Sequence, residues 1–340
     1  MKRILIVNVN WRGDVLFSTP FLRAIRENFP EAFIATLVVP RCVPILENNP
    51  DLNEIIVFDE RGKQRGLWGK MKLIRLLRTK NFDLAFILHR SLTRTLICWL
   101  AGIPERVGYY TKKRSLFLTK NIFAQAEPVH KVDYFLKIAQ DYGVPVKNRD
   151  YQFLISQDNR DYADKLLQEQ GVKKGDFLVV LNPGGNWDLK RWPKENFALL
   201  GDSLVEKYQA RVLITGAAKD IKLAEEIAAL MKNQPLLLCG KTTLGELAAL
   251  MAKVNLVVAN DSGPMHIALS QGAKVIALFG PTAPKITGPY GRGNYTVIQK
   301  DVGCAVPCYE LNCTDQRCMK AISVQEVLQA IAKMRQDENK

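Results

Sequence analysis

Short apolar runs alternate with amphipathic stretches along almost the whole chain. In the first half, the apolar runs predict strands near residues 3–9, 33–39, 54–58, 82–88 and 106–109. The stretches between them have the helical spacing of apolar residues and predict helices near 20–28, 42–48, 68–79 and 92–101. Thr19 and Pro20 suit the start of the first helix, as a cap followed by a first-turn proline. This alternation is typical of a parallel sheet with helices on its faces.

The second half repeats the pattern. It predicts strands near 177–182, 211–215, 236–239, 255–260 and 274–279, with helices near 194–208, 219–232, 243–253 and 264–271. Thr243-Leu244-Gly245-Glu246 and Ser323-Val324-Gln325-Glu326 are capping-box patterns, the second ahead of a last helix. Near 152–175, polar sequence rich in Asp, Gln and Lys replaces the strands, and we place the link between the halves there.

We therefore expect an α/β protein with two parallel-sheet domains, at 1–160 and 172–320. A C-terminal helix within 321–340 could pack back on the first domain. The length of 340 residues also exceeds one typical core. Two such domains that face each other form a cleft between the carboxyl edges of their strands, where folds of this kind bind ligands.

Apolar residues make up 47% of the chain, which is enough for globular cores. No apolar run reaches the roughly 18 residues that a membrane helix needs. Met1-Lys2-Arg3 followed by Ile4-Leu5-Ile6-Val7 resembles the start of a signal peptide. However, Asn8 and Asn10 interrupt that apolar stretch, and no small-residue cleavage site follows. We expect it to be the first strand of a cytoplasmic protein.

The positive charge is concentrated in the first half. Residues 1–150 contain 25 Lys and Arg against 14 Asp and Glu, a surplus of 11, whereas the rest of the chain has a surplus of 3. Basic residues between 61 and 80 are interleaved with Leu67, Trp68, Leu73, Ile74, Leu76 and Leu77. A basic amphipathic helix suits the anionic surface of the inner membrane, and a solvated helix face is the equal alternative. We expect no nucleic-acid partner, because no motif for one is present.

The seven cysteines fall into two groups. Cys42, Cys98 and Cys239 lie in apolar contexts, which predicts buried thiols. Cys304, Cys308, Cys313 and Cys318 form a cluster near the end of the chain. Four clustered cysteines can bind zinc or iron, but these spacings are looser than paired CxxC, and loop thiols or disulfides are the alternatives. We therefore expect no metal.

The turn Asn260-Asp261-Ser262-Gly263-Pro264-Met265-His266 carries the clearest chemical signal. It follows the apolar run Leu256-Val257-Val258-Ala259 and opens a helical pattern. A helix that begins after a strand presents free N–H groups and a partial positive charge, which suits a phosphate. Small Ser262 and Gly263 allow close approach, and His266 can donate to the same anion. An ordinary capped turn is the alternative.

Other turns at strand ends supply further candidates. Gly13-Asp14 follows the first strand, where a carboxylate can accept a proton from a sugar hydroxyl or simply cap a helix. Asn182-Pro183-Gly184-Gly185-Asn186 offers exposed amides beside Lys190 and Arg191, a second contact for phosphate or a packed loop. Asp220 could meet a ribose hydroxyl or cap the next helix. The GxGxxG and GxxxxGK[ST] fingerprints are absent, which argues against a dehydrogenase or a P-loop enzyme.

Taken together, these residues resemble glycosyltransferase family 9, and within it the lipopolysaccharide heptosyltransferase II branch. The match runs from residue 1 to about 335. Its main motifs are Gly13-Asp14-Val15-Leu16, Lys190-Arg191-Trp192-Pro193, Gly216-Ala217-Ala218-Lys219-Asp220, the 260–266 turn and Leu278-Phe279-Gly280-Pro281-Thr282. Trp11, the segment 101–108 and Arg317-Cys318-Met319 fit the branch.

The resemblance implies a GT-B fold with a central cleft and an inverting transfer that needs neither metal nor cofactor. The donor would be ADP-L-glycero-β-D-manno-heptose and the acceptor an inner-core heptose of lipopolysaccharide. Asp14 would be the general base, with Gly13 and Arg12 on the acceptor side. The implied donor-binding residues are Gly185, Asn186, Lys190, Asp220 at the ribose, Thr242 near the adenine, Asp261, Ser262, Gly263 and His266. Lys190 would also stabilise charge on the leaving diphosphate.

One departure concerns the acceptor, because Asn8 stands where many relatives carry a basic residue. A family 9 transferase that uses another nucleotide sugar or acceptor is therefore an alternative. A non-catalytic nucleotide-sugar binder is another, although Asp14 and Lys190 are both present.

Overall fold

A computed structural model describes residues 1–310 and 312–336 of the chain. It divides into two compact units, Met1–Leu154 and Ile155–Lys340. Each unit contains one six-stranded sheet in which all strands are parallel. No helix in the described ranges is long and apolar enough to cross a membrane.

The first unit is built from β1 (Arg3–Val7), α1 (Arg12–Phe17), α2 (Thr19–Asn28), β2 (Phe33–Val38), β3 (Glu54–Val57), α3 (Leu67–Thr79), β4 (Leu84–Ile87), α4 (Leu92–Leu100), β5 (Glu105–Tyr109), β6 (Lys120–Ile122) and α5 (Lys131–Tyr142). Short 3-10 helices cover Pro40–Ile45 and Ser115–Phe117. The strand order is β3-β2-β1-β4-β5-β6.

The second unit contains α6 (Gln157–Glu169), β7 (Leu178–Asn182), α7 (Lys194–Tyr208), β8 (Arg211–Ile214), α8 (Ile221–Leu230), β9 (Leu236–Leu237), α9 (Leu244–Met251), β10 (Leu256–Asn260), α10 (Gly263–Ser270), β11 (Lys274–Phe279), α11 (Pro284–Thr287), β12 (Tyr295–Gln299), α12 (Arg317–Lys320) and α13 (Val324–Gln336). Short 3-10 helices cover Asp188–Lys190 and Ala218–Asp220. Its strand order, β12-β11-β10-β7-β8-β9, is the same topology as that of the first unit.

Apolar side chains from the central strands and the covering helices form a core in each unit. Leu5 and Val7 of β1 pack with Leu73 and Leu77 of α3 in the first unit. Trp192 lies in the core of the second unit, and its indole N–H donates to the Ile322 carbonyl oxygen at 2.9 Å. Burying the aromatic ring fixes the loop that carries Lys190 and Arg191.

The structure confirms the alternation of strands and helices and corrects several local predictions. The stretch predicted as a helix at 42–48 is a 3-10 helix that contains Pro44, and a proline inside a helix removes a donor. Ser18, not Thr19, occupies the N-cap of α2, and the Thr19 hydroxyl donates to the Leu16 carbonyl oxygen. Both capping boxes, at Thr243 and Ser323, are formed.

The link between the units is shorter than the sequence indicated. Polar α6 occupies most of 152–175, begins after a Ser156 cap, and packs on α9 of the second unit. The C-terminal helix α13 packs against α7 and β11 of its own unit, with Val327 and Ile331 in the core. Residues 337–340 of the expected terminal segment lie outside the described residues.

Candidate active site

The strand order places the most favourable ligand position of the second unit between β7 and β10. The chain winds outward from β7 through β8 to β9 and then returns to β10 on the other side of β7. The loops after these two strands therefore diverge at the carboxyl edge, which leaves a crevice in folds of this topology. The 183–192 loop follows β7, and the 261–266 turn follows β10.

Lys190 and Asp261 meet at this position. The Lys190 Nζ lies 2.6 Å from Asp261 Oδ2, and their side chains are 24% and 7% exposed. The Thr282 hydroxyl donates to the same carboxylate oxygen at 2.7 Å. The sequence analysis predicted that Lys190 and Asp261 both lie at the diphosphate of the donor, and in the structure the two side chains form an ion pair with each other. The structure also adds Thr282, which the sequence quoted only as part of a motif.

The Gly185–Asn186 loop is enclosed by cations. Arg191 donates to the Gly185 carbonyl oxygen at 2.9 Å, and the Lys219 Nζ contacts Asn186 Oδ1 at 2.8 Å. Asn260 joins the two strand ends, since its amide donates to the Pro183 carbonyl oxygen and its oxygen accepts from the Trp192 N–H. Three basic side chains, Lys190, Arg191 and Lys219, thus surround the end of β7. Such a concentration of positive charge suits a diphosphate.

Asp220 is buried beside this loop, at 5% exposure. Its carboxylate accepts from the Ala217 N–H at 3.0 Å, within the 3-10 helix Ala218–Asp220. Asp220 is also the N-cap residue of α8, but its side chain makes no capping hydrogen bond to that helix. Asp220 Oδ1 is buried without a hydrogen-bond partner among the described residues, and it lies 3.8 Å from Arg191 Nη2. Gly184 is required here, because a Cβ on it would stand 2.6 Å from Asp220 Oδ2. A ribose contact for Asp220 stays a prediction.

The start of α10 matches the predicted phosphate turn. Ser262 is the N-cap in extended conformation, and Pro264 lies in the first turn. The Ser262 Oγ is buried and has no hydrogen-bond partner among the described residues. A Cβ on Gly263 would meet nothing within 4 Å, and His266 is buried at 3% exposure. Thr242 is half-buried in the loop before α9. The donor roles of these residues stay predictions.

In the first unit, the same change of winding direction lies between β1 and β4. Gly13 and Asp14 follow β1 within α1, and Arg12 is exposed at its start. Burial raises the pKa of the Asp14 carboxyl above its ordinary value, and the positive charge of Lys131 opposes that rise. A buried carboxylate with a raised pKa is a stronger base than an ordinary aspartate.

An ionic cluster around the buried Arg94, just after β1, escaped the sequence analysis. The Arg94 side chain is 1% exposed, and its guanidinium contacts the Asn8 carbonyl oxygen, Asn10 Oδ1 and Glu60 Oε2 at 2.9, 2.6 and 3.0 Å. His89 follows β4, where burial and then Arg94 lower its pKa to about 4. His89 is therefore neutral at physiological pH. The sequence signal for this cluster was Arg94, a basic residue within helix α4, whose other residues are mostly apolar.

Cys42, Cys98 and Cys239 are buried free thiols, as predicted. The clustered Cys304, Cys308, Cys313 and Cys318 are also free. Within residues 1–310 and 312–336, no group of three or more His, Cys, Asp or Glu side chains is arranged to hold a metal ion.

Comparison with known proteins identifies the class of protein to which this chain belongs. The chain aligns with lipopolysaccharide heptosyltransferase 2 of Escherichia coli K12 at 28% identity, covering 84% of this chain and 85% of that protein. The structure of the present chain matches that of a family 9 glycosyl transferase from Veillonella parvula with a TM-score of 0.91. The two chains are 27% identical, and the match covers 98% of this chain and 97% of the other. The structure of E. coli ADP-heptose lipopolysaccharide heptosyltransferase II matches over the full length of both chains, with a TM-score of 0.80 and 26% identity.

These matches define a glycosyltransferase with the GT-B fold. The model of glycosyltransferase family 9 (heptosyltransferase) matches residues 70–318. The chain therefore belongs to glycosyltransferase family 9.

Proposed function

We propose that this enzyme transfers heptose from ADP-L-glycero-β-D-manno-heptose to an inner-core heptose of lipopolysaccharide, with inversion at the transferred carbon. The observation that carries the proposal is the pairing of Lys190 with Asp261 at the β7/β10 crevice, next to the start of α10. The similar E. coli proteins are an ADP-heptose lipopolysaccharide heptosyltransferase II and a lipopolysaccharide heptosyltransferase 2, which supports this choice of donor and acceptor.

The second unit would bind the donor. Lys190, the amides at the start of α10 and the basic side chains around Gly185 and Asn186 would contact the diphosphate. Negative charge grows on that diphosphate as its bond to the sugar breaks, so these groups would stabilise the transition state more than the ground state. Asp220 would approach the ribose, and Thr242 the adenine.

The first unit would supply the base. We assign that role to Asp14, because burial raises its pKa, which increases its basicity, and the charge of Lys131 opposes part of that rise. The carboxylate would remove the proton from the acceptor hydroxyl as the hydroxyl attacks the donor sugar from the face opposite the diphosphate. That attack gives inversion. Gly13 and Arg12 would lie beside the acceptor.

The test is transfer by the purified protein with a panel of nucleotide sugars and core oligosaccharides lacking the heptose. We expect turnover with ADP-heptose, and loss of turnover in Asp14→Asn with ADP affinity within a few-fold of wild type. Turnover with a different nucleotide sugar would favour the same-family alternative. Donor binding without turnover on any acceptor would favour a nucleotide-sugar-binding protein.

We also propose that helix α3 contacts the anionic membrane surface that carries the acceptor. Its buried side faces the core with Leu73, Ile74 and Leu77. Its outer side exposes Trp68 at 82% and Leu76 at 44%, and it carries basic residues with no acidic residue. Each Lys or Arg near an anionic surface contributes about 1 kcal/mol, and salt screens that attraction.

Co-sedimentation with vesicles containing anionic lipid tests this surface across a salt series. We expect wild type to bind at low salt and to dissociate at high salt. A Trp68→Ser/Lys72→Gln/Arg75→Gln variant should bind weakly, whereas Leu199→Ser/Lys207→Gln/Lys222→Gln on the second unit should behave as wild type. Equal binding of both variants would mean that the outer side of α3 is a solvated helix face and not a membrane contact.

A further inference from the structure

The turn after β11 brings Thr282 to the Lys190–Asp261 pair. β10 and β11 are neighbouring parallel strands with Asn260 beside Leu278, and the Asp261 N–H donates to the Leu278 carbonyl oxygen at 3.1 Å. Asp261 therefore lies beside the end of β11. Thr282 follows that strand by three residues, and its hydroxyl donates to Asp261 Oδ2 at 2.7 Å. Lys190 donates to the same oxygen at 2.6 Å, so one carboxylate oxygen accepts from two groups.

These two donors restrict the direction of the Asp261 carboxylate. A carboxylate with a single partner can rotate about its Cβ–Cγ bond, and a second hydrogen bond from another element opposes that rotation. Lysine has a flexible four-carbon stem, so the ammonium of Lys190 is only as well placed as the carboxylate that holds it. The ammonium has three N–H donors, of which the contact with Asp261 uses one. The position of the Thr282 hydroxyl thus influences where the other two donors point.

Thr282 is held through the backbone of its own turn. Gln299, the last residue of β12, donates from its side-chain amide to the carbonyl oxygens of Gly280 and Thr282 at 3.0 and 2.8 Å. The Cys308 N–H donates to the carbonyl oxygen of the residue between them, Pro281, at 2.7 Å. The carbonyl groups of three successive residues are therefore bound by groups from the segment that follows. Hydrogen bonds of this kind fix the side chain that a turn presents to a site.

We infer that Thr282 and Gln299 are positioning residues for the diphosphate of the donor. Gln299 fixes the 280–282 turn, the turn places the Thr282 hydroxyl, and the hydroxyl orients Asp261 and with it the ammonium of Lys190. Neither positioning residue needs to touch the donor. A small misplacement of a binding group costs much of its contribution, so such remote residues affect affinity. The inference rests on the proposed contact between Lys190 and the diphosphate, and it adds two residues to which that proposal gives no role.

The test is calorimetry of ADP binding to the full-length protein. Thr282→Val keeps the shape of the side chain without the hydroxyl and should weaken ADP binding roughly tenfold. Thr282→Ser keeps the hydroxyl and should retain most of the affinity. Gln299→Leu removes both donors to the turn and should weaken binding severalfold. The matched controls are Thr296→Val on β12 and Gln329→Leu on the exposed side of α13, which should bind ADP as wild type does.

A double-mutant cycle separates positioning from a direct contact. In the Lys190→Met background, Thr282→Val should cause little further loss, because the lysine through which Thr282 acts is gone. Losses that add would mean that Thr282 acts without Lys190, and they would overturn its positioning role. For Gln299, a lowered Tm with unchanged ADP affinity in Gln299→Leu would show that it only stabilises the edge of the sheet.

The same measurements distinguish this inference from the proposal on which it rests. If Lys190→Met binds ADP as wild type does, the proposed diphosphate contact fails, and the positioning role fails with it. If Lys190→Met loses affinity while Thr282→Val does not, the diphosphate contact stands and only the positioning role is overturned.

Discussion

Lys190→Met separates the two roles that the structure gives to this lysine. The substitution removes the charge and keeps most of the aliphatic stem. It breaks the 2.6 Å contact with Asp261 and leaves that carboxylate, 7% exposed, with the Thr282 hydroxyl. If Lys190 also binds the diphosphate, the variant should lose stability and donor affinity together.

The magnitudes follow from the burial of each partner. Breaking a fully buried ion pair costs about 3–5 kcal/mol, because a charge is left without a partner. Since the Lys190 side chain is 24% exposed, water compensates part of that cost. We expect about 1–3 kcal/mol, and each kcal/mol lowers the Tm of a unit this size by roughly 2–4 °C. A lost charge-assisted hydrogen bond of about 1.5–3 kcal/mol should weaken ADP binding roughly 10- to 150-fold.

The Lys190→Met/Asp261→Asn double variant distinguishes the two effects. Removing the second charge should recover much of the stability, since no unpaired carboxylate remains, but it should not restore ADP affinity. Thermal unfolding and ADP calorimetry are the two measurements. Lys194→Met is the matched control, because it breaks the exposed Lys194–Glu226 pair of the same unit and should leave ADP affinity unchanged. Wild-type ADP affinity in Lys190→Met would refute the diphosphate contact and leave Lys190 as a structural partner of Asp261.

Three further predictions concern the base and the metal requirement. Activity should fall with decreasing pH as Asp14 takes up a proton. Lys131→Gln should move the acid limb of the kcat/KM profile to higher pH, because the positive charge of Lys131 lowers the pKa of Asp14. An acid limb that stays at the wild-type pH in this variant would reject the coupling between the two residues. Because burial raises the pKa of Asp14 in the folded state, ionisation of this carboxyl destabilises the protein as pH rises above the unfolded pKa. Asp14→Asn should therefore raise the Tm at neutral pH while abolishing transfer, and a lower Tm would contradict the sign. Activity should survive EDTA, since basic side chains and helix-end amides surround the proposed diphosphate site; loss of activity that one added divalent ion restores would count against this expectation.

The periodic pattern predicted the central strands well because they are buried on both faces. Leu178–Asn182 and Leu256–Asn260 are entirely buried, so their sequences are continuous apolar runs. Most of the elements that escaped prediction are short, polar or at an edge, although the amphipathic helix α5, with 12 residues, also escaped. β12 is the outermost strand of its sheet and is half-buried throughout, and α1 has only six residues with Gly13 near its start. The Ser156 cap could have revealed α6.

The sequence predicted which residues belong to the candidate site better than it predicted which of them contact each other. Strand ends at one sheet edge must lie close together, which placed Lys190 and Asp261 in one region although they are 71 positions apart. Direct pairing depends on the path of the 183–192 loop, which Trp192 and Asn260 determine through packing and hydrogen bonds. Periodicity carries no information about such loops. The Arg94–Glu60 pair escaped for the same reason, since Glu60 lies in the loop after β3.

The two aspartates at the strand ends have opposite surroundings, and that difference supports their separate roles. Asp261 has a cation and a hydroxyl on one oxygen, so its charge is compensated and available only for electrostatic and hydrogen-bonding work. Asp14 is half-buried, and the loss of hydration raises its pKa more than the charge of Lys131 lowers it. Keeping a carboxylate with reduced hydration costs stability, and a residue that only caps a helix would not need to be placed in such surroundings. A proton acceptor does require it, because its basicity increases with the same burial.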